Sequence, residues 1–264
     1  MTASATRLSV VAPGGFPLVA PGDDLAALIV RALEESGETL ADGDVLVVAQ
    51  KIVSKSENRY RLLEEIEPSD RAREIALITD KDPRLVELIL SESSEIVRHR
   101  RGVLVVAHRI GIVMANAGID ASNVEPAPGG GTRVLLLPED PDRSAAGLHA
   151  ALGRATGADV AVVINDSVGR AWRNGTVGIA LGSAGLPALN DLNGTPDLFG
   201  RLLQASQVGL ADELASTASL VMGQANEGRP VVLIRGIVGA VTGAAAGEGA
   251  ASDLIRPREQ DLFR

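Results

Sequence analysis

Two uninterrupted runs of aliphatic residues constrain the fold of this chain more than any other feature. Residues 45–48 read Val-Leu-Val-Val, and the segment Asp159–Ile164 contains a second run of the same kind. Continuous apolar runs are typical of strands that other elements cover, whereas a half-exposed strand alternates apolar and polar residues. Because aromatic residues make up only 2% of the chain, we expect a core of Val, Leu, Ile and Ala.

Signals for helices and further strands surround these two runs. Helices are predicted from apolar periodicity and from capping residues, namely Ser69 before one helix, Asp82-Pro83 before the next and Gly157 after a third. The predicted helices are Asp23–Glu35, those opening at Pro68-Ser69-Asp70 and at Asp82-Pro83, Asp142–Thr156 and Ala211–Met222. The predicted strands are Arg7–Ala12, Asp44–Gln50, Ile96–Arg98, Val103–His108, Val134–Leu137, Asp159–Ile164 and Val231–Arg235. Helices and strands mix without strict βαβ alternation, which favours an α+β fold with mixed or antiparallel sheets over a doubly wound sheet. The Gly- and Ala-rich segment 236–251 is expected to form a loop or a loosely packed stretch.

Length and charge exclude several classes of protein. A chain of 264 residues allows one large domain or two modest ones. The net charge of −9 disfavours non-specific binding of nucleic acid, which requires a basic surface. The sequence contains no apolar run of about 18 residues, so it predicts no membrane span. It also contains no cysteine, which excludes disulfides and thiolate metal ligands and favours a cytoplasmic location.

Familiar catalytic templates are missing from the sequence. It contains no phosphate-binding G-x-x-x-x-G-K-[ST] loop, no G-x-G-x-x-G, no G-x-S-x-G nucleophile elbow and no H-E-x-x-H helix. The three histidines, His99, His108 and His149, are scattered and are interpreted as surface or core residues rather than ligands. Simple hydrolases and dehydrogenases are therefore disfavoured.

Two acidic segments follow predicted strands. Asp120 lies in a stretch of small and short polar residues and offers a hard carboxylate oxygen to Mg²⁺ or Mn²⁺, while Asn123 can donate to a phosphate or a nucleoside. Asp166-Ser167 directly follows the second apolar run, and carboxylates at strand ends are well placed for metals in open sheets. The alternatives are structural: a polar turn at the first segment, and a solvated turn with a salt bridge at the second.

Basic and amide groups occur at comparable positions. Lys51 and Lys55 follow the first apolar run, and Arg170 and Arg173 flank Trp172, which suits the binding of anionic oxygens. The turn Met222–Arg229 adds amide and carboxylate groups, although it can also be a glycine-capped connector. Together these segments supply what a metal–nucleoside triphosphate site needs, since phosphoryl transfer is catalysed mainly by positioning and charge neutralisation.

Four segments carry a resemblance to a known family. Ala49–Lys55, Ala115–Asp120, Asp166–Arg173 and Ala211–Ala215 occur in the order and spacing of the coenzyme F420-0:L-glutamate ligases, also called F420 gamma-glutamyl ligases. The resemblance runs from Gly15 to about Gly236. It implies an unusual, family-specific α+β fold and an intertwined homodimer. We expect a ligase domain over residues 1–250 and a C-terminal tail over residues 251–264.

The activity that the resemblance implies is a GTP-dependent ligation. L-Glutamate is joined by an amide bond to the lactyl carboxylate of coenzyme F420-0, and further glutamates can follow through gamma links. We expect an acyl-phosphate intermediate, because a carboxylate is a poor acceptor until it is activated. The implied cofactors are Mn²⁺ or Mg²⁺, expected as two ions, with K⁺ as a further candidate.

The resemblance also assigns roles residue by residue. Asp120, Asp166, Ser167 and Gln224 correspond to the family's metal ligands. Asp120, Asp166 and Lys55 are the expected catalytic residues, joined by Arg170 and Arg173, for which only an anion-binding role is inferred. The expected GTP-binding residues are Phe16, Pro17, Leu18, Val19, Gln50, Lys51, Lys55, Asn123, Met222, Gly223, Gln224, Ala225, Asn226, Glu227, Gly228 and Arg229.

Other classes of function use the same residues. A metal-dependent phosphatase or other phosphotransferase would release phosphate without glutamate. A non-catalytic GTP-binding protein would bind nucleotide and form no product. A related ligase that acts on a different acid is a third alternative within the same class.

Overall fold

The computed structural model describes residues 6–127, 129–237 and 249–261. Within these residues the chain forms twelve β-strands and six α-helices. In chain order they are β1 Ser9–Val11, α1 Leu25–Glu35, β2 Val45–Ala49, α2 Gln50–Ser56, β3 Tyr60–Leu62, α3 Asp70–Thr79, α4 Pro83–Ser91, β4 Ser93–Arg100, β5 Val103–His108, β6 Val113–Ala115, β7 Arg133–Leu135, α5 Pro141–Thr156, β8 Ala161–Arg170, β9 Arg173–Ala184, β10 Leu189–Asp191, β11 Gln207–Gly209, α6 Leu210–Met222 and β12 Val231–Arg235.

A five-stranded mixed sheet forms the centre of the molecule, in the order β1-β12-β2-β8-β9. Its two middle strands, β2 and β8, are the two apolar runs, and both are buried as predicted. They are the parallel pair in this sheet, with Val45 opposite Ala161 and Ala49 opposite Asn165, and the other neighbours are antiparallel. The carboxyl end of β2 therefore lies beside Asn165, at the point where β8 continues beyond its parallel partner.

Helices cover both faces of this sheet, which explains the continuous apolar runs. On one face α1 and α5 pack through Ile29, Leu33 and Leu152 against Leu46 and Ile164. The other face holds α6, and its cluster is rich in alanine and includes Val47, Val163, Ala211, Leu214 and Ala218. The core is thus aliphatic on both sides, as the composition predicted, and the α+β class is confirmed.

Close packing of α6 against β9 requires a glycine at position 178. A Cβ atom there would overlap Ser219 Oγ and the backbone oxygen of Ala215. Three residues beyond Gly178, β9 contains a bulge: Asn165 pairs with Ala180 and Ile164 with Gly182, so Leu181 is the extra residue. Bulges re-aim side chains and are common beside functional sites. This one lies next to Asp166.

A smaller sheet, β4-β5-β6, packs with α3 and α4 around a separate aliphatic cluster. Arg59 connects it to the segment after β7, because its Nε donates to the Leu137 carbonyl at 2.8 Å and its guanidinium pairs with Glu92 at 2.9 Å. The capping predictions for α3 and α4 are confirmed, since the Ser69 and Asp82 side chains accept hydrogen bonds from backbone N–H groups of the first turn.

The local structure differs from the sequence predictions in three places. No helix was predicted over residues 50–56, which form α2, and the predicted strand Asp44–Gln50 ends one residue earlier, at Ala49. The strand predicted to end at Ile164 continues to Arg170, so Asp166 and Ser167 lie inside β8 and not after it. Strand β9 was not predicted, because its Gly, Thr and Ser residues obscure the alternation and its pairing with β8 is a tertiary contact.

Residues 249–261 pack on the central unit. Asp142 Oδ1 accepts hydrogen bonds from Ala251 N at 2.7 Å and from Ser183 N at 3.0 Å, so this carboxylate joins α5, β9 and the C-terminal segment. Most of the Gly- and Ala-rich segment, residues 238–248, lies outside the described residues, and the division at residue 250 stays a prediction. In the described part of the chain, no helix is long and apolar enough to cross a membrane.

Candidate active site

A cleft with a volume of about 540 Å³ opens at the edge where β2 and β8 end their parallel pairing. Three features of the fold converge there: β2 passes directly into α2, β8 continues beyond its parallel partner, and α6 ends at Met222. The predicted GTP-binding residues line this one cleft: Phe16, Pro17, Leu18, Val19, Gln50, Lys51, Lys55, Asn123 and the turn Met222–Arg229.

Helix α2 supplies the cationic groups. Lys51 and Lys55 are four residues apart and therefore lie on the same face of the helix, one turn from each other. Lys51 Nζ donates to Asp120 Oδ2 at 2.7 Å, and Lys55 Nζ donates to Glu125 Oε1 at 2.7 Å. The Lys55 side chain is only 8% exposed, so Glu125 is its partner in a largely buried position.

Asp120 is fixed by its backbone and by its carboxylate. Its N–H and C=O both bond to Leu135 of β7, and its carboxylate accepts from Ser122 N and Ser122 Oγ, each at 2.7 Å. Burial raises the pKa of Asp120, but the hydrogen bonds from Lys51 and Ser122 outweigh burial and lower the pKa below its ordinary value. Asp120 does not line the cavity itself and reaches it through Lys51.

Asp166 has the opposite electrostatic character. Burial, and to a smaller extent the nearby Asp120 carboxylate, raise its pKa from 3.8 to about 6 against the opposing effects of the Ser167 N–H and the Lys51 charge. The adjacent Ser167 Oγ donates to Gln224 Oε1 at 2.5 Å. Asp166, Ser167 and Gln224 all line the cleft, so the structure brings the four predicted metal ligands together around Lys51.

These residues fit a hard divalent cation. Two carboxylates close enough to affect each other's ionisation, with one hydroxyl and one amide oxygen, form an all-oxygen donor set of the kind that Mg²⁺ and Mn²⁺ prefer. Among the described residues, no group of three or more His, Asp or Glu side chains is suited to hold a metal. With only two carboxylates, one hydroxyl and one amide oxygen, the donor set suits a metal ion that takes its remaining ligands from substrate phosphates and water.

The turn after α6 forms the opposite wall. Glu227 Oε2 accepts from Ala225 N at 2.8 Å, and backbone N–H groups of the turn lower the pKa of Glu227. Gly223 has a φ of +80°, and a Cβ there would overlap the Glu227 carboxyl group. Asn123 Nδ2 donates to the Ala225 carbonyl at 2.9 Å and so connects the segment that carries Asp120 to this turn.

Two predicted residues lie apart from the cleft. Arg170 and Arg173 are exposed at the tip of the β8–β9 hairpin, where Trp172 is 89% exposed and has a φ of +62°. Within this chain they do not line the cavity, and their catalytic role stays a prediction. The histidines also lie away from it: His108 is fully buried near Glu92, and His149 Nδ1 contacts the Val160 carbonyl at 2.9 Å.

Sequence reasoning missed two polar residues of the cleft, Glu125 and Asn165. Asn165 directly precedes the Asp166 motif and is buried, with Nδ2 donating to Ser219 Oγ at 3.3 Å. Parallel pairing of the two apolar runs places Asn165 opposite Ala49, so the position of Asn165 could have been derived from that pairing. Glu125 has no such signal, because it lies in an irregular segment and its partners, Lys55 and Tyr60, are distant in sequence.

The fold and the cleft define an α+β protein in which lysines and carboxylates gather at the edge of the central sheet. The chain belongs to the family described as F420-0:Gamma-glutamyl ligase, whose model matches residues 15–236. It is 51% identical to the coenzyme F420:L-glutamate ligase of Methanothermobacter thermautotrophicus, over 97% of this chain and 99% of that protein. Proteins of the same name from Methanopyrus kandleri and Archaeoglobus fulgidus are 46% and 42% identical, covering 93% and 98% of this chain and 93% and 97% of theirs.

Proposed function

We propose that this protein is a GTP-dependent ligase that joins L-glutamate to coenzyme F420-0 through an amide bond and can then add gamma-linked glutamates. Its family membership and the names of its relatives support the ligase class and the substrates. The observation that carries the proposal is the cleft itself, where Lys51 and Lys55 face two carboxylates at the edge of the central sheet.

In the proposed mechanism, Lys51 and Lys55 bind the phosphates of GTP. Asp120, Asp166, Ser167 and Gln224 would hold Mn²⁺ or Mg²⁺, which offsets charge on the phosphates. The acid substrate's carboxylate attacks the γ-phosphorus, giving an acyl phosphate and GDP, and Lys55 stabilises the negative charge that develops. The amine of glutamate then displaces phosphate. Arg170 and Arg173 are proposed to bind anionic groups of the substrate at the hairpin tip.

Mass spectrometry of the reaction product tests this proposal. The protein is incubated with F420-0, GTP, Mn²⁺ and L-glutamate, and a product heavier by one or more glutamyl residues is expected together with GDP. Matched reactions omit glutamate or replace GTP with ATP. Phosphate release at the same rate without glutamate would instead indicate a phosphatase, and GTP binding without any product would indicate a regulatory protein.

We also propose a homodimer and K⁺ as an accessory ion, as the family resemblance implies, and a cytoplasmic location, as the absence of cysteine favours. Light scattering during gel filtration measures the mass in solution and is expected to give twice the 27.2 kDa of the chain. Replacing K⁺ with Na⁺ in the ligase assay tests the accessory ion.

A further inference from the structure

Glu125 is a carboxylate of the cleft to which neither the sequence motifs nor the proposed mechanism assigns a role. Its Oε1 accepts from Lys55 Nζ at 2.7 Å and its Oε2 accepts from the Tyr60 hydroxyl at 3.1 Å. The guanidinium of Arg133 lies 3.4 Å from the centre of the Tyr60 ring and packs on it. Glu125 is thus held from one side by Tyr60, while its other oxygen occupies a lysine that the proposed mechanism requires for phosphate.

The remaining carboxylates that lie in the cleft or reach it already have other roles. Asp120 and Asp166 belong to the metal-binding set, and Glu227 accepts backbone hydrogen bonds of its own turn. A ligase that uses an amino acid must also recognise an ammonium group, and carboxylates are the side chains that pair with ammonium ions. Glu125 is 38% exposed and therefore accessible from the cavity.

We propose that Glu125 binds the α-ammonium group of the incoming amino acid and accepts its proton, an inference that rests on the proposed ligase function. When a phosphate group pairs with Lys55, the ammonium of Lys55 is no longer the partner of Glu125 Oε1. That oxygen then receives the substrate ammonium in its place, while Tyr60 keeps Oε2 in position. In the described structure, the Lys55 ammonium occupies the position beside Glu125 Oε1 that the α-ammonium group of the amino acid would take.

The exchange links the two substrates in a defined order. Glu125 is occupied by Lys55 until the nucleotide binds, so the amine site forms only after the phosphates have entered the cleft. Burial raises the pKa of Glu125, but the hydrogen bonds from Lys55 and Tyr60 and the charge of Lys55 outweigh burial and lower it. The group is therefore ionised at neutral pH, and losing Lys55 as a partner raises its pKa and makes it a better proton acceptor.

The proton transfer completes a balanced step. A protonated amine has no free electron pair, so the α-ammonium must lose a proton to Glu125 before its nitrogen can attack the acyl phosphate. The new C–N bond forms at the carbonyl carbon, and the bond from that carbon to the phosphate oxygen breaks. Inorganic phosphate leaves with the electron pair and takes up the second proton that the nitrogen loses as the amide forms. The proton remains on the Glu125 carboxyl group until it passes to solvent.

Hydroxylamine separates this role from the rest of the reaction. It is largely uncharged at neutral pH and attacks an acyl phosphate without needing an ammonium site or a base, giving a hydroxamate. The test compares the wild type with Glu125→Gln, using the full chain with F420-0, GTP and Mn²⁺ and either L-glutamate or hydroxylamine. In Glu125→Gln we expect hydroxamate formation within about threefold of the wild type, but glutamate addition about 100-fold slower.

The pH profile gives a second readout, because a merely structural role would not change it. In Glu125→Gln, kcat/KM for glutamate should rise steeply with pH, since the uncharged amine becomes more abundant. Equal losses of hydroxamate and of glutamate addition would overturn the proposal, and so would an unchanged glutamate KM and pH profile. Glu213→Gln, the same change at an exposed position on α6, should leave both reactions unchanged. If the wild type forms no hydroxamate, the acyl-phosphate mechanism of the proposed function fails instead.

Discussion

Two clusters of charged residues in this protein both contain short ion pairs, but the two clusters have different roles. In the cleft, Lys51 pairs with Asp120 and Lys55 with Glu125, both at 2.7 Å. Between the small sheet and the central unit, Glu92 contacts Arg59 at 2.9 Å, Arg109 at 3.2 Å and His108 at 3.6 Å. A list of ion pairs would not distinguish the two.

The balance of charge and the adjoining space do distinguish them. Glu92 has several cationic or hydrogen-bonding partners, and although burial raises its pKa, His108, Arg59 and Arg109 lower it to about 2. In the cleft there are at least as many carboxylates as lysines, so the carboxylates have no excess of cationic partners. The pKa of Asp166 is about 6. The Glu92 cluster is electrostatically satisfied. The cleft cluster lies beside an open cavity, and its residues are therefore able to exchange partners.

The largest effect should follow from Asp166→Asn in the cleft. The amide keeps the shape of the side chain but removes a charge from the metal-binding set, so glutamate addition should fall by about 1,000-fold, or roughly 4 kcal/mol of transition-state stabilisation. The product assay measures this change, and Mn²⁺ titration by electron paramagnetic resonance should show weaker binding. Asp70→Asn on the exposed first turn of α3 is the matched control. Full activity in Asp166→Asn would remove Asp166 from the site.

Glu92→Gln should have the next largest effect, on stability rather than activity. Removing the charge leaves the half-buried Arg59 without its carboxylate, and we expect a loss of about 2–4 kcal/mol in the free energy of unfolding at pH 7. Because folding lowers the pKa of Glu92 from 4.5 to about 2, its contribution is present above pH 4.5 and is lost as the pH falls toward 2. Urea unfolding of the wild type and variant at several pH values should therefore show a difference that shrinks in acid.

The central fold was predictable because its information is local. The runs in β2 and β8 and the caps of α3, α4 and α5 each specify their element within a few residues. By contrast, β9 contains Gly175, Gly178 and Gly182 and takes its register from β8, so no periodicity in its own sequence identifies it. The α+β class followed from element order, while the strand order of the sheet depends on long-range pairing.

The residues of the candidate site also divide into those that the local sequence identifies and those that depend on long-range contacts. Lys51 and Lys55 were identified by their position after an apolar strand, although their common helical face was missed because no helix was predicted there. Glu125 could not be found, since its role depends on a contact with Lys55 across 70 positions of sequence. Arg170 and Arg173 matched a motif, but the motif does not show that the β8–β9 hairpin carries them beyond the cleft wall. A motif identifies side chains, whereas the fold decides which of them share a cavity.

A smaller effect of Asp166→Asn is expected on the free energy of unfolding, and it is a gain, whereas the effect on activity is a loss. Folding raises the pKa of Asp166 from 3.8 to about 6, so the metal-free native state binds this proton more tightly than the unfolded state does. The ionised carboxylate therefore costs stability above pH 6, and the cost disappears as the pH falls toward 4. Asp166→Asn should raise the free energy of unfolding at pH 7.5 by about 1–2 kcal/mol, allowing for solvent screening, with no gain at pH 4. Thermal unfolding in chelator measures this, and destabilisation at pH 7.5 would contradict the raised pKa.

The smallest stability effect is expected for Lys51→Met, and Arg59→Met makes it informative. The Lys51 and Asp120 side chains are 27% and 40% exposed, while those of Arg59 and Glu92 are 11% and 13% exposed. Exposed pairs contribute little, so Lys51→Met should change the free energy of unfolding by less than about 1 kcal/mol, against about 2–3 kcal/mol for Arg59→Met. Nucleotide affinity, measured by calorimetry, should respond in the reverse order, falling about tenfold for Lys51→Met and staying unchanged for Arg59→Met. If both variants weakened binding and stability in proportion, the cleft pairs would be structural, and the distinction between an exchangeable and a satisfied cluster would fail.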